Sequence, residues 1–103
     1  MPQEYQVAAL DDIKPGTLKR VELNGVPVCL ARLLSGRVHA ISDICTHEEI
    51  ELSDGDLDGC EVECPAHGSR FDVETGDVSG VPARDPIAVY PVRVEGEQIF
   101  VSL

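Results

Sequence analysis

Two short stretches of this chain bring together residues able to bind a transition metal: Cys45-Thr46-His47 and Cys64-Pro65-Ala66-His67. Sixteen residues lie between them, giving Cys-x-His-x16-Cys-x2-His. Each stretch offers one thiolate and one imidazole. Structural zinc sites usually draw paired ligands from knuckles spaced Cys-x2–4-Cys or His-x3–5-His. Mixed Cys/His pairs on two separate loops suit a two-iron cluster with chemically unequal irons, two thiolates on one and two imidazoles on the other. Zinc or a vestigial site are the alternatives for this donor set. Neutral imidazole in place of thiolate lowers the negative charge around one iron, so reduction becomes easier and the potential rises. Pro65 sets a turn, and Gly68 lets backbone pass close to a metal.

The other candidate donors read differently. His39 stands alone in the alternating stretch Arg37-Val38-His39-Ala40-Ile41 and is expected to be a structural or surface residue. Cys29, in Val28-Cys29-Leu30-Ala31, fits a buried small hydrophobe. Cys60, beside Gly59, fits a strand-edge thiol, and a reducing cytoplasm argues against a Cys29–Cys60 disulfide.

The elements that must hold these loops are strands. Turn dipeptides fall at Asn24-Gly25, Ser35-Gly36, Asp58-Gly59, Thr75-Gly76 and Glu95-Gly96. Asn-Gly between apolar runs predicts a hairpin joining residues 18–23 to 26–34. Ser35-Gly36 then leads into residues 38–41. Short strands are expected over 56–58, 61–64 and 70–73, around the two ligand loops. Residues 88–94 are predicted as one strand with Ala88, Tyr90, Val92 and Val94 inward, and Pro91 marks it as an edge. Glu95-Gly96 reverses it into residues 98–103, with Ile99, Val101 and Leu103 on one face. One short helical turn is expected near residues 11–16. No stretch carries a capped 3.6-residue apolar stripe, so the class is all-β, built from antiparallel hairpins.

At 103 residues the chain is expected to form one domain, residues 1–103, with a cluster-binding subdomain over about 43–83. The first residues lack a basic and apolar leader, and no run approaches the roughly 20 apolar residues of a membrane span. A soluble, cytoplasmic protein without a membrane partner is expected. The formal net charge of −11 argues against nucleic acid or an anionic membrane surface as partner, and for a basic protein partner or simple solubility. Residues 48–63 contain Glu48, Glu49, Glu51, Asp54, Asp56, Asp58, Glu61 and Glu63 with no Lys or Arg. Most of these suit a solvated loop, but Glu48 and Glu49 directly follow His47 and are expected to steer docking.

The block Cys64-Pro65-Ala66-His67-Gly68-Ser69-Arg70-Phe71-Asp72 resembles the second loop of Rieske ferredoxins. So do Thr75-Gly76, Pro82-Ala83-Arg84-Asp85-Pro86 and Tyr90-Pro91-Val92. With the first loop, the resemblance spans most of residues 40–103, and the chain has the size of the ferredoxin component of bacterial aromatic-ring-hydroxylating dioxygenases. It implies the Rieske fold, antiparallel sheets with the cluster loops in a small subdomain, and one [2Fe-2S] cluster per chain. Cys45 and Cys64 would bind one iron, His47 and His67 the other. Residues 82–86 would cover the cluster from a third side. The implied function is one-electron transfer from a flavoprotein reductase to a terminal oxygenase, by a carrier that is expected to be monomeric. No nucleophile, acid–base pair or substrate pocket marks the chain as an enzyme by itself. A small subunit of assimilatory nitrite reductase and a zinc-stabilised interaction module are the alternatives.

Two departures bear on chemistry. Membrane-bound Rieske proteins carry an additional cysteine in each loop, where this chain has Ile50 and Ala66. They also place a tyrosine where this chain has Phe71. Phe71 cannot donate a hydroxyl towards a cluster sulfur, while Ser69 retains one. A potential at the low end of the Rieske range, roughly −150 mV, is therefore expected.

Overall fold

The computed structural model describes residues 3–46, 50–66, 68–81 and 83–103. In chain order the strands are β1 (Glu4–Ala9), β2 (Thr17–Leu23), β3 (Val26–Arg32), β4 (Val38–Ser42), β5 (Asp56–Asp58) and β6 (Glu61–Glu63). They continue as β7 (Arg70–Asp72), β8 (Val78–Gly80), β9 (Val89–Tyr90), β10 (Val92–Glu95) and β11 (Gln98–Ser102). They form three antiparallel sheets, ordered β1-β11-β10, β2-β3-β4-β9 and β5-β6-β7-β8. Helix is confined to single 3-10 turns at Leu10–Asp12 and Leu52–Asp54. The all-β antiparallel class expected from the turn spacing is the observed one.

The β2–β3 hairpin follows from its turn. Leu23 pairs with Val26, leaving a two-residue loop whose Asn24 and Gly25 have φ of 53° and 83°. Both central positions are left-handed, as the type I′ turn demands, and that turn matches the twist of the flanking strands.

β3 is buried on both faces, and this organises the molecule. Val28 and Leu30 face a core shared with Val38, Ala40, Ile99, Val101 and Ile13. Cys29 and Ala31, on the opposite face, belong to a second core with Cys45, Leu52, Val62, Cys64, Phe71 and Val73. Alternation with period two thus makes one strand the wall between two cores. The first core joins the β1-β11-β10 and β2-β3-β4-β9 sheets, and the second supports the ligand loops.

The strand expected over 88–94 is corrected. It is interrupted at Pro91, with β9 paired to β4 and β10 paired to β11 in a different sheet. Pro91 offers no N–H to a ladder, so the break falls there. Changing sheets resets the facing pattern. Tyr90 and Val92 pack against the core, but Ala88 is exposed and Val94 is 43% exposed. Pro91 does lie between two edge strands, as expected. The anticipated helical turn starts one residue earlier, at Leu10, and ends at Asp12. Its carbonyls are not left bare, because the Arg32 guanidinium donates to Leu10 O and Ile13 O at 2.9 and 3.0 Å.

Candidate metal centre

The first ligand loop leaves β4 as a narrow hairpin. Asp43 N–H donates to Pro27 O at 3.1 Å, anchoring the loop to β3. Its two arms are joined by Cys45 N–H to Ile50 O at 3.0 Å, Leu52 N–H to Asp43 O at 2.8 Å, and a bridge between Ile44 and Glu51. The return arm then meets β6 at Gly55, where an added Cβ would lie 1.9 Å from Glu63 O. Only glycine allows that approach.

The second loop joins β6 to β7. Cys64 N–H donates to Ser69 O at 2.7 Å and Gly68 N–H to Cys64 O at 3.2 Å. Gly68, at φ 78°, makes the return in a left-handed conformation that favours glycine. Pro65 and Ala66 occupy the turn, as anticipated.

Both cysteines point into the same apolar core. Cys45 is 2% and Cys64 1% exposed, and Leu52, Val62, Phe71, Ala83 and Ile87 share their cluster. A third segment, residues 83–87, is tied to both loops. Ser69 Oγ, fully buried, accepts from Ala83 N–H at 3.1 Å. Thr46 Oγ1 donates to Asp85 O at 2.8 Å. Ile87 N–H donates to Gly76 O at 2.8 Å, and Gly76 approaches Ile87 O so closely that a Cβ would lie 2.2 Å away.

Of the candidate ligands, the fold thus brings Cys45 and Cys64 into one core. His47 and His67 lie outside the described residues, as do Glu48, Glu49 and Pro82. The remaining cysteines behave as expected. Cys29 is fully buried, and burial together with the nearby Asp43 carboxylate pushes its thiol well up from 9.0. Cys60 is exposed, in the turn after β5. His39 lies half-buried on β4 opposite Ala31, with Nε2 in no hydrogen bond.

Two charged groups around the loops were not legible as site residues. Asp43 is fully buried and accepts from Arg20 and Ser53. Arg70, on β7, forms ion pairs with Asp58, Glu61 and Glu63 at 3.0, 3.0 and 3.4 Å. The acidic run is therefore partly neutralised by a residue outside it. Asp58, chiefly through its hydrogen bond, and then Glu63 hold the Arg70 guanidinium proton more tightly. A polar residue two positions before Cys45 was the available signal for Asp43, but its partners come from distant sequence.

The donor set and its setting fit a Rieske cluster. Two thiols buried in one apolar cluster suit a soft metal.

A family model described as the Rieske [2Fe-2S] domain matches residues 3–91. The ferredoxin component of the p-cumate 2,3-dioxygenase system of Pseudomonas putida is 43% identical over 98 residues, 94% of this chain and 83% of that protein. Among solved structures, the ferredoxin of carbazole 1,9a-dioxygenase from Nocardioides aromaticivorans IC177 superposes with a TM-score of 0.92 at 38% identity, covering 96% of each chain. A chain from a complex of reduced oxygenase and oxidized ferredoxin in carbazole 1,9a-dioxygenase gives 0.89 at 37% identity, covering 94% of this chain and 99% of its own length.

Proposed function

The chain belongs to the Rieske [2Fe-2S] domain family, and on that premise we propose how it works as a one-electron carrier in an aromatic-ring dioxygenase system. Its cofactor is a Rieske-type [2Fe-2S] cluster, and its role is that of an electron-transfer component rather than a catalyst. The cluster supplies a centre that gains and loses one electron without bond changes in substrate. Cys45 and Cys64 hold one iron, and His47 and His67 hold the other. The observation that carries this is the pair of cysteines from two separate hairpins buried in one apolar core. A thiolate withheld from water there is retained as a ligand, while residues 83–87, tied to both loops, shield that core.

The electron comes from a flavoprotein reductase and leaves to a terminal oxygenase. The carrier is monomeric and works in the cytoplasm, and residues 43–83 act as its cluster-bearing unit within a single domain. The similar chain found in a complex of reduced oxygenase and oxidized ferredoxin supports the second partner. No described helix is long and apolar enough to cross a membrane.

Purified protein is expected to contain two irons and two acid-labile sulfides per chain. It should accept one electron from a flavoprotein reductase and lose it to the oxygenase in stopped-flow mixing. Stoichiometric zinc in protein made without metal supplementation overturns the cofactor assignment. A Cys45→Ser or His67→Ala variant with an unaltered electron paramagnetic resonance spectrum overturns the ligand assignment.

A further inference from the structure

We infer that Asp43 is a positioning residue for the cluster, locking the loop that carries Cys45 through a buried carboxylate shared by Arg20 and Ser53. The inference rests on the assignment of Cys45 as a ligand. Asp43 is fully buried, and every polar handle it has is used. Its N–H and C=O bind Pro27 O and Leu52 N–H, at 3.1 and 2.8 Å. Its Oδ1 accepts from Ser53 N–H at 2.7 Å, and its Oδ2 accepts from Ser53 Oγ at 2.9 Å and from Arg20 Nη1 at 2.8 Å.

The placement of these partners gives the carboxylate its role. Pro27 is on β3 and Arg20 on β2, so they belong to the rigid sheet. Leu52 and Ser53 are on the return arm of the first loop. Asp43 begins the outgoing arm, two residues before Cys45. One side chain therefore ties the outgoing arm, the return arm and the sheet together. Arg20 reinforces the tie by also reaching Glu51 at 2.9 Å. A buried carboxylate is tolerable only with such charged and hydrogen-bonded partners, and it cannot drift from them without being left unpaired. Geometric fidelity of the loop follows from that cost. Outer partners that orient a ligand typically change metal affinity by roughly 10–100-fold when removed. The second loop has no counterpart to this buried anion among the described residues, because Arg70 meets its carboxylates at the surface.

The test uses the holoprotein. Asp43→Asn, Ser53→Ala and Ser53→Thr are compared with wild type and with Arg93→Gln, which removes the ion pairs to Glu4 and Glu95 in the β1-β11-β10 sheet. Cluster loss to excess chelator is followed by visible absorbance, with visible circular dichroism and electron paramagnetic resonance on the intact proteins. Global opening is measured in parallel by amide hydrogen exchange in β3. Asp43→Asn and Ser53→Ala are expected to lose the cluster roughly 10–100-fold faster, with altered visible dichroism and unchanged β3 protection. Ser53→Thr, which keeps the hydroxyl, and Arg93→Gln should match wild type. Wild-type release from folded Asp43→Asn and Ser53→Ala overturns the inference, as does release that merely follows global opening. If Asp43→Asn does not fold, Ser53→Ala decides. Cys45→Ser, run alongside, separates the two failures. An unaltered spectrum there removes the ligand assignment, and the inference with it. An altered one, with wild-type release from the Asp43 and Ser53 variants, removes the inference alone.

Discussion

Ser69 Oγ accepts the Ala83 N–H at 3.1 Å, so a side chain of the second ligand loop holds the backbone of a segment fourteen residues further on. Ser69 is fully buried and Ala83 only 3% exposed, so water cannot replace the bond. Ser69→Ala should leave a buried donor unpaired and cost about 1–3 kcal/mol. Chemical denaturation measures this, and accelerated exchange of the Ala83 amide should accompany it. Unchanged stability and exchange would show that the segment is held by Thr46 and Asp85 instead.

Phe71→Tyr should raise the reduction potential. Phe71 is fully buried in the apolar cluster that contains Cys45 and Cys64. A hydroxyl donated to a bridging sulfur stabilises the more negative, reduced state. Protein-film voltammetry on both proteins is the check. An unchanged or lower potential with the cluster intact would place the ring edge away from sulfur.

Gly76→Ala and Gly96→Ala should separate backbone strain from crowding. Both glycines have positive φ, 82° and 61°, so alanine at either is strained by about 1–2 kcal/mol. At Gly96 nothing lies within 4 Å of the new Cβ, whereas at Gly76 Ile87 O would be 2.2 Å away. Thermal unfolding should therefore show the larger loss for Gly76→Ala. Equal losses would mean that residues 83–87 move aside at no cost.

Native protein treated with a maleimide near neutral pH should be labelled at Cys60 and spared at Cys29. Cys60 is exposed, while burial and Asp43 keep the Cys29 thiol protonated. The sign for stability follows. A proton held more tightly in the folded chain contributes fully below about 9.0 and is lost as pH rises beyond it. Mass spectrometry after partial labelling, and unfolding at pH 8 and 10, test both statements. Labelling of Cys29 in folded protein contradicts its burial.

Glu48→Lys/Glu49→Lys should slow reduction by the reductase at low ionic strength. Acidic groups next to His47 attract a basic partner and speed encounter, an effect screened beyond roughly 10 Å at 0.1 M salt. Asp58, Glu61 and Glu63 should matter less, since Arg70 already pairs with them. Stopped-flow rates over a salt series are the measurement. Equal rates for variant and wild type at low salt would move docking to another face.

The cofactor class, the strand-rich class and most hairpins were legible in the chain because each depends on local chemistry. Donor type and spacing pointed to the Rieske family, and Asn24-Gly25 selects its turn whatever surrounds it. Burial of Cys29 followed from its apolar neighbours. Tertiary structure decided what depends on residues far apart in sequence. β1 pairs with β11 across almost the whole chain, so no local pattern announced it. β8, three residues long, owes its existence to β7. The break at Pro91 depended on which sheet each half could join. Asp43 looked like one more acid in an acidic chain until the fold brought Arg20 and Ser53 to it. A buried charge persists only where its partners converge, and that convergence is a property of three-dimensional packing alone.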